Sequence, residues 1–135
     1  MPTFELQLAE EFTGKLPVYY LCKDGKPLIT DFYNSLATDG NLSKQEDKLR
    51  DNISKLANDE GLAPSKGGQI QDSKYENIYE VKTQNLRLYL LRNRSENLII
   101  IIGGKKTTQK ADIKRLKQLI NEHATLLAPY LKCKR

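Results

Sequence analysis

Three strand-like segments crowd into residues 77 to 102, and they restrict what this chain can fold into more than any other feature. NIYEVKT (77–83), LRLYLLR (86–92) and NLIIII (97–102) are joined by QN and NRSE, linkers of hairpin size. Such short connections return a strand beside its predecessor in the antiparallel sense, because a parallel crossover needs a dozen or more residues. The expected unit is therefore an antiparallel meander. Its middle strand alternates, with Leu86, Leu88 and Leu90 on one side and Arg87 and Tyr89 on the other. Its last strand does not alternate at all. LIIII is apolar throughout, the pattern of a central strand buried on both faces.

The flanks supply further elements. TFELQLAEEF alternates loosely around Phe4, Leu6 and Leu8, LPVYYLC is rich in β-forming residues, and the two can pair as a hairpin. An Asp24-Gly25 turn and Pro27 follow. Thr30 and Asp31 are candidate caps for a short helix through DFYNSLAT, with Gly40 as its stop. The next segment, LSKQEDKLRDNISKLANDEG, repeats Leu49, Ile53 and Leu56 at helical spacing. Ser43 and Glu46 read as its capping box and Gly61 as its terminating glycine. GLAPSKGGQIQDSK (61–74) reads as a connecting loop. From about Thr108 to Ala128, the stripe Ile113, Leu116, Leu119, Ile120 and Leu127 predicts an amphipathic helix ended by Pro129. No internal repeat or low-complexity tract interrupts the 135 residues, which suit one domain.

Composition narrows the class. The chain is 39% hydrophobic and 29% charged, and no window approaches the roughly 18 apolar residues of a membrane helix. The start lacks a basic head followed by an apolar run, so a cytoplasmic location is expected. Cys22 and Cys133 are far apart, no CxxC occurs, and there is a single histidine, a set that points to neither a disulfide framework nor a metal site. The net charge of +5 conceals a division. Residues 1–81 hold 9 Lys and Arg against 14 Asp and Glu, a balance of −5, whereas residues 82–135 hold 13 against 3, a balance of +10. Clustered cations raise the local potential and attract anionic partners. A solvated helix face is the plainer reading of the lysines beyond residue 110.

The stretch GGKKTTQK (103–110) follows the apolar strand directly. Glycine takes positive φ at little cost, so Gly103 and Gly104 are expected to form a turn that holds Lys105 and Lys106 at a corner where an anion could sit. No GxxxxGK[ST] or GxGxxG pattern surrounds them, so turn geometry is favoured over a phosphate cradle.

Taken in order, KDGKP (23–27), FYNSL (32–36), YEVK (79–82), LRLYLL (86–91), LIIII (98–102) and GGKKTTQK (103–110) give the chain a likeness to a known family. Over roughly residues 18 to 123 it resembles the RelE/ParE superfamily of bacterial toxins, and most closely the phage-derived HigB-like branch. The resemblance implies an α+β, RelE-like fold: N-terminal strands and a helical pair, an antiparallel curved sheet, and a C-terminal helix. It implies a toxin of a type II toxin–antitoxin pair that cuts messenger RNA on the translating ribosome, without metal or other cofactor. The implied partners are a helix-turn-helix antitoxin with an acidic docking segment, and the ribosome-held mRNA, with a homodimer or a heterotetramer with antitoxin as candidate assemblies. No membrane partner is implied.

Cleavage by the neighbouring ribose 2′-OH requires that its proton be removed, that charge on the phosphorane be stabilised, and that the 5′ oxygen be protonated. By the resemblance, Arg87 matches the strand arginine that grips the scissile phosphate, where a guanidinium can bind two oxygens. Lys105 and Lys106 match the lysine pair, and Lys82 the cation of YE-[LV]-[RK]. Tyr89, on the strand face of Arg87, is a candidate for base stacking or proton donation. His123 is a further candidate proton carrier, with Tyr130 nearby, and Arg92 and Lys110 are candidate RNA phosphate contacts. The plainer alternatives are an Arg87 paired with Glu80 on an exposed strand, cross-strand packing for Tyr79 and Tyr89, solubilising lysines at a turn, and a packing role for His123. Ala111-Asp112 stands where the family usually has proline, residues 1–17 exceed the family core, and no general base is obvious. A non-catalytic interaction or nucleic-acid-binding module, and a ParE-like inhibitor of DNA gyrase, are the alternative functions.

Overall fold

The computed structural model describes residues 2–72 and 74–134. In chain order the elements are β1 (Phe4–Leu8), β2 (Val18–Lys23), β3 (Lys26–Pro27), α1 (Thr30–Leu36), α2 (Gly40–Ala57), β4 (Gly67–Gln69), β5 (Ile78–Lys82), β6 (Leu86–Asn93), β7 (Asn97–Lys105), α3 (Gln109–Glu122) and α4 (Ala124–Leu127). The class is α+β: one open, mostly antiparallel sheet in the order β1-β2-β7-β6-β5-β4, with β3 paired to β2.

The meander forms as its linkers require, β5 against β6 and β6 against β7. β1 and β2 form the expected antiparallel pair. The two halves join through a single parallel pairing, Val18 to Tyr20 of β2 beside Leu98 to Ile100 of β7. That joint makes β7 a central strand, and its residues Leu98 to Ile102 are all buried.

Each face of the sheet carries its own core. On one, Leu86, Leu88, Leu90, Leu98 and Ile100 pack with Leu36 of α1 and Leu49, Ile53 and Leu56 of α2. On the other, Tyr89, Leu91, Ile99, Ile101 and Ile102 pack with Leu116, Leu119 and Ile120 of α3 and Leu127 of α4. The shift between Tyr89/Ile102 and Leu90/Ile100 leaves Ile101 as an extra residue in β7, a bulge. Bulges bend a strand and re-aim the residues just beyond them, which in β7 are Gly103 and Gly104.

Several local expectations change. Gly40 begins α2 instead of ending α1, and the cap of α2 is Asp39, whose Oδ1 accepts from Asn41 N and Leu42 N. Ser43 therefore lies inside the first turn. α1 has Ile29 at its cap position and no side-chain cap bond. α2 ends at Ala57, and Asp59 (φ 61°) takes the left-handed position assigned to Gly61. The 61–74 loop contains β4, an edge strand on β5. The last helix breaks at His123 into α3 and α4. Residues 9–17 pack onto the end of α2, with Leu16 N donating to Ala57 O (2.7 Å) and the Tyr20 hydroxyl to Glu11 (2.9 Å). The N-terminal segment is thus an integral edge of the sheet.

No helix is long and apolar enough to cross a membrane among the described residues. Cys22 is buried, Cys133 exposed, and neither forms a disulfide.

Candidate functional site

The parallel β2–β7 joint and the antiparallel β5–β6–β7 order bring four strand ends to one pole of the sheet. Lys23 ends β2, Lys82 ends β5, Lys105 ends β7 and Arg87 stands at the start of β6. Arg87 is cross-strand from both Lys82 and Gly104. The N-terminus of α3 opens at the same pole and adds the partial positive charge of its free N–H groups.

Gly103 and Gly104 both line a recess at this pole, and each lets another residue close in on β7. Both belong to β7, and Gly25 is the single glycine with positive φ among the described residues. The expected glycine turn is therefore a strand, and the glycines serve close approach. A Cβ on Gly103 would collide with the ring of Phe32, and one on Gly104 with the carboxylate of Asp112. Alternation along β7 sends the two clashes to opposite faces of the sheet.

On the Gly103 side a recess of about 540 Å³ opens between the β2–β3 turn, α1 and the start of α3. Lys23, Lys26, Lys105 and Arg115 line it with Phe32, Ser35 and Thr108, and Asp31 is its one carboxylate. Asp31 engages Lys26 at 2.9 Å, which leaves three cations facing the recess without an ion-pair partner among the described residues. This arrangement suits an anion by its charge and offers a ring face beside it.

On the Gly104 side the first turn of α3 roofs Arg87 and Tyr89. Gln109 Nε2 donates to Glu80 Oε2 (3.0 Å), and the Thr108 hydroxyl donates to Asp112 Oδ2 (2.6 Å). Arg87 is only 7% exposed. Its Nη1 donates to Thr83 O (2.7 Å) and Leu86 O (2.8 Å), while its Nε is buried with no partner among the described residues. The exposed, Glu80-paired strand arginine is thus not what forms. The Tyr89 hydroxyl is likewise buried and unpartnered. Burial, with the nearby carboxylates of Glu80 and Asp112, pushes its pKa well above the ordinary tyrosine value, Arg87 opposing. Tyr89 therefore remains protonated at neutral pH and can donate a proton but not accept one. Unpartnered buried donors are rare in folded proteins, and two side by side mark a place with capacity for an acceptor.

The remaining candidates lie at different distances. Lys106, in the turn before α3, and Lys110, in its first turn, are exposed. Lys82 lines another groove, between α2 and the β5–β6 turn. Arg92 sits toward the other end of β6, its guanidinium 5.1 Å from the centre of the Tyr79 ring and donating to Glu60 O (3.2 Å). His123 caps the far end of α3, roughly 20 Å along the helix from Gln109 at 1.5 Å per residue. Its ring lies 3.8 Å from that of Phe4. The Tyr130 carbonyl accepts from Asn77 and Asn93, away from the pole.

Sequence reasoning did not select Lys23, Lys26, Phe32 and Ser35, although the first two flank the Asp24-Gly25 turn and could have been marked from it. Arg115 was hidden within a lysine-rich helix face. The roof formed by Gln109 and Asp112 had no sequence signal beyond the absent proline. No family model, no curated protein and no solved structure matches this chain with significance.

Proposed function

We propose that the chain is a type II toxin of the RelE/ParE superfamily, HigB-like in character, that cleaves messenger RNA on the ribosome through the pole of its sheet. The observation that carries this reading is convergence. KDGKP, FYNSL, YEVK, LRLYLL and GGKKTTQK are scattered over residues 23–110, and each contributes a residue to the same end of the sheet. Motifs that merely specify a fold have no reason to gather their cations at one end of the sheet.

In this reading Lys23, Lys105 and Arg115 hold the phosphates flanking the cut, with a base against Phe32. The scissile phosphate takes the acceptor position left by Arg87 and Tyr89. The ribose 2′-oxygen attacks phosphorus, its proton passing to a carboxylate of the roof, Glu80 or Asp112. The P–O5′ bond breaks, a 2′,3′-cyclic phosphate forms, and Tyr89 gives its proton to the departing 5′ oxygen. Arg87 offsets the extra charge of the phosphorane, and its two carbonyl anchors keep the guanidinium in place without reorganisation. Access requires the first turn of α3 to swing Asp112 off Gly104.

Induced expression in bacteria tests this. The native chain should arrest growth and create new 5′ ends in an abundant message, read by primer extension, whereas Arg87→Ala should lose at least a hundredfold of the cleavage. A folded, harmless native chain that leaves the message intact would sink the enzyme.

One observation favours a second reading, a non-catalytic anion-binding module: α3 covers Arg87 and Tyr89 while the neighbouring recess stands open. In that case Lys105→Gln would weaken RNA binding and no cleavage would accompany the native chain.

A further inference from the structure

A second groove lies on the α2 side of the sheet, beyond the Thr83–Asn85 turn from Arg87. It has a volume of about 600 Å³ and runs between α2, the residues before β4, and the β5–β6 turn. Five lysines line it: Lys44, Lys48 and Lys55 from one strip of α2, Lys66 before β4, and Lys82 at the end of β5. Asp51 is the one carboxylate among its lining residues. None of the five lysines has an ion-pair partner among the described residues. On a chain with 17 acidic residues, five lysines against one carboxylate in one groove create a strong local field.

The groove also contains an amide without a hydrogen-bond partner among the described residues. Asn52 is 6% exposed and lines the groove, yet its side chain makes no hydrogen bond among the described residues and is not sealed from solvent. Its neighbour Gln45 shows the contrast: Nε2 donates to Asn85 Oδ1 (2.8 Å), and Oε1 accepts from Thr83 Oγ1 (2.7 Å) and Asn85 N (2.8 Å). Gln45 braces the turn that forms the groove's end. Asn52 is left with both its donor and its acceptor for something else.

We infer that this groove binds a single strand of nucleic acid through its phosphates, with the Asn52 amide reaching the sugar. The lining favours that occupant over an acidic peptide. Every residue of it is polar or charged, whereas docked helices and strands take their affinity from apolar anchors in pockets. Lys44 to Lys55 extends roughly 16 Å along the helix at 1.5 Å per residue, enough for several nucleotides of one strand. With no aromatic platform in the groove, affinity comes from counterion release and binding is indifferent to sequence. The inference shares Lys82 with the toxin reading but does not require cleavage.

Fluorescence anisotropy with a labelled twelve-nucleotide oligouridine RNA, and the matching DNA, tests it. The variant carries Lys44→Gln, Lys48→Gln and Lys55→Gln. The control carries Lys15→Gln, Lys114→Gln and Lys134→Gln, exposed positions outside both sites with the same change of net charge. The groove variant should bind at least tenfold more weakly, and its log K against log salt slope should fall by about 2, since each lysine contributes about 0.7 on a single strand. The control should stay within threefold of the parent chain. Equal losses in the two variants, or unchanged binding by the groove variant, would overturn the site. So would displacement of the RNA by polyglutamate of equal charge at equal concentration, which would assign the groove to acidic protein. Tighter binding of RNA than DNA that is lost in Asn52→Ala assigns the amide to the 2′-OH, and unchanged binding by Asn52→Ala would remove Asn52 from the site. All titrations are repeated on Arg87→Ala, so the loss of cleavage and the loss of groove binding are scored separately.

Discussion

Tyr89 shows how one residue can conflict with stability and still be kept in a fold. Its ring is fully buried in the α3-side core, but its hydroxyl is buried without a partner among the described residues. A buried unsatisfied hydroxyl costs about 1–3 kcal/mol, a cost phenylalanine does not carry. Tyr89→Phe should therefore unfold at higher urea, by about 1 kcal/mol, and under the proposed function its mRNA cleavage should fall. Such opposed changes identify a group held for function. A loss of stability in the variant would show that the hydroxyl is satisfied in solution. The glycines make a related point. Any side chain at Gly103 or Gly104 must displace Phe32 or Asp112, so these positions exclude side chains for reasons of space and not of backbone angle.

At the scale of elements, the start of α2 separates what a motif suggests from what the backbone needs. Ser43 and Glu46 have capping-box spacing, but Asp39 supplies the acceptor for two first-turn N–H groups. Asp39→Ala should cost about 1 kcal/mol of stability. Ser43→Ala should stay within about 0.5 kcal/mol, since it removes no cap. Chemical denaturation of the two variants decides between them, and the reverse order would restore the capping box. The strands were more legible than the helix ends. β5, β6 and β7 follow their apolar patterns closely, because burial on one or both faces prints directly onto the sequence. β4 left no such print, having three residues, two of them glycine.

Across the whole molecule, layers are tied at points far apart in sequence. Asp59, just beyond α2, accepts from the Ser95 N–H (3.0 Å) and the Ser95 hydroxyl (3.1 Å) in the β6–β7 turn. These two bonds, backbone first, hold the Asp59 carboxyl below the usual carboxylate range. A carboxylate with a lowered folded pKa adds stability that is present above the unfolded value, about 3.9, and is lost as pH falls through the folded one. Asp59→Asn tolerates the left-handed backbone and removes the charge. The stability gap between the native chain and this variant should hold steady from about pH 7 to pH 5 and shrink below about pH 4. A gap that stays constant down to pH 2.5 would show that the contact does not depend on ionisation.

The sequence by itself determined the class of the fold, the meander, the two-sided burial of β7, the faces of β6 and the basic character of the chain. Each of these is a local pattern, set by side-chain periodicity and linker length. The tertiary structure alone decided which charges meet. The basic stretch after residue 81 is joined at the pole by Lys23 and Lys26, and in the α2 groove by Lys44, Lys48, Lys55 and Lys66, all from the half that is acidic by count. It also withdrew Arg92 and His123 from the pole and covered Arg87 with α3. The physical reason is the parallel β2–β7 joint. It pairs strands some eighty residues apart, and no local pattern records which distant strand a buried edge will choose.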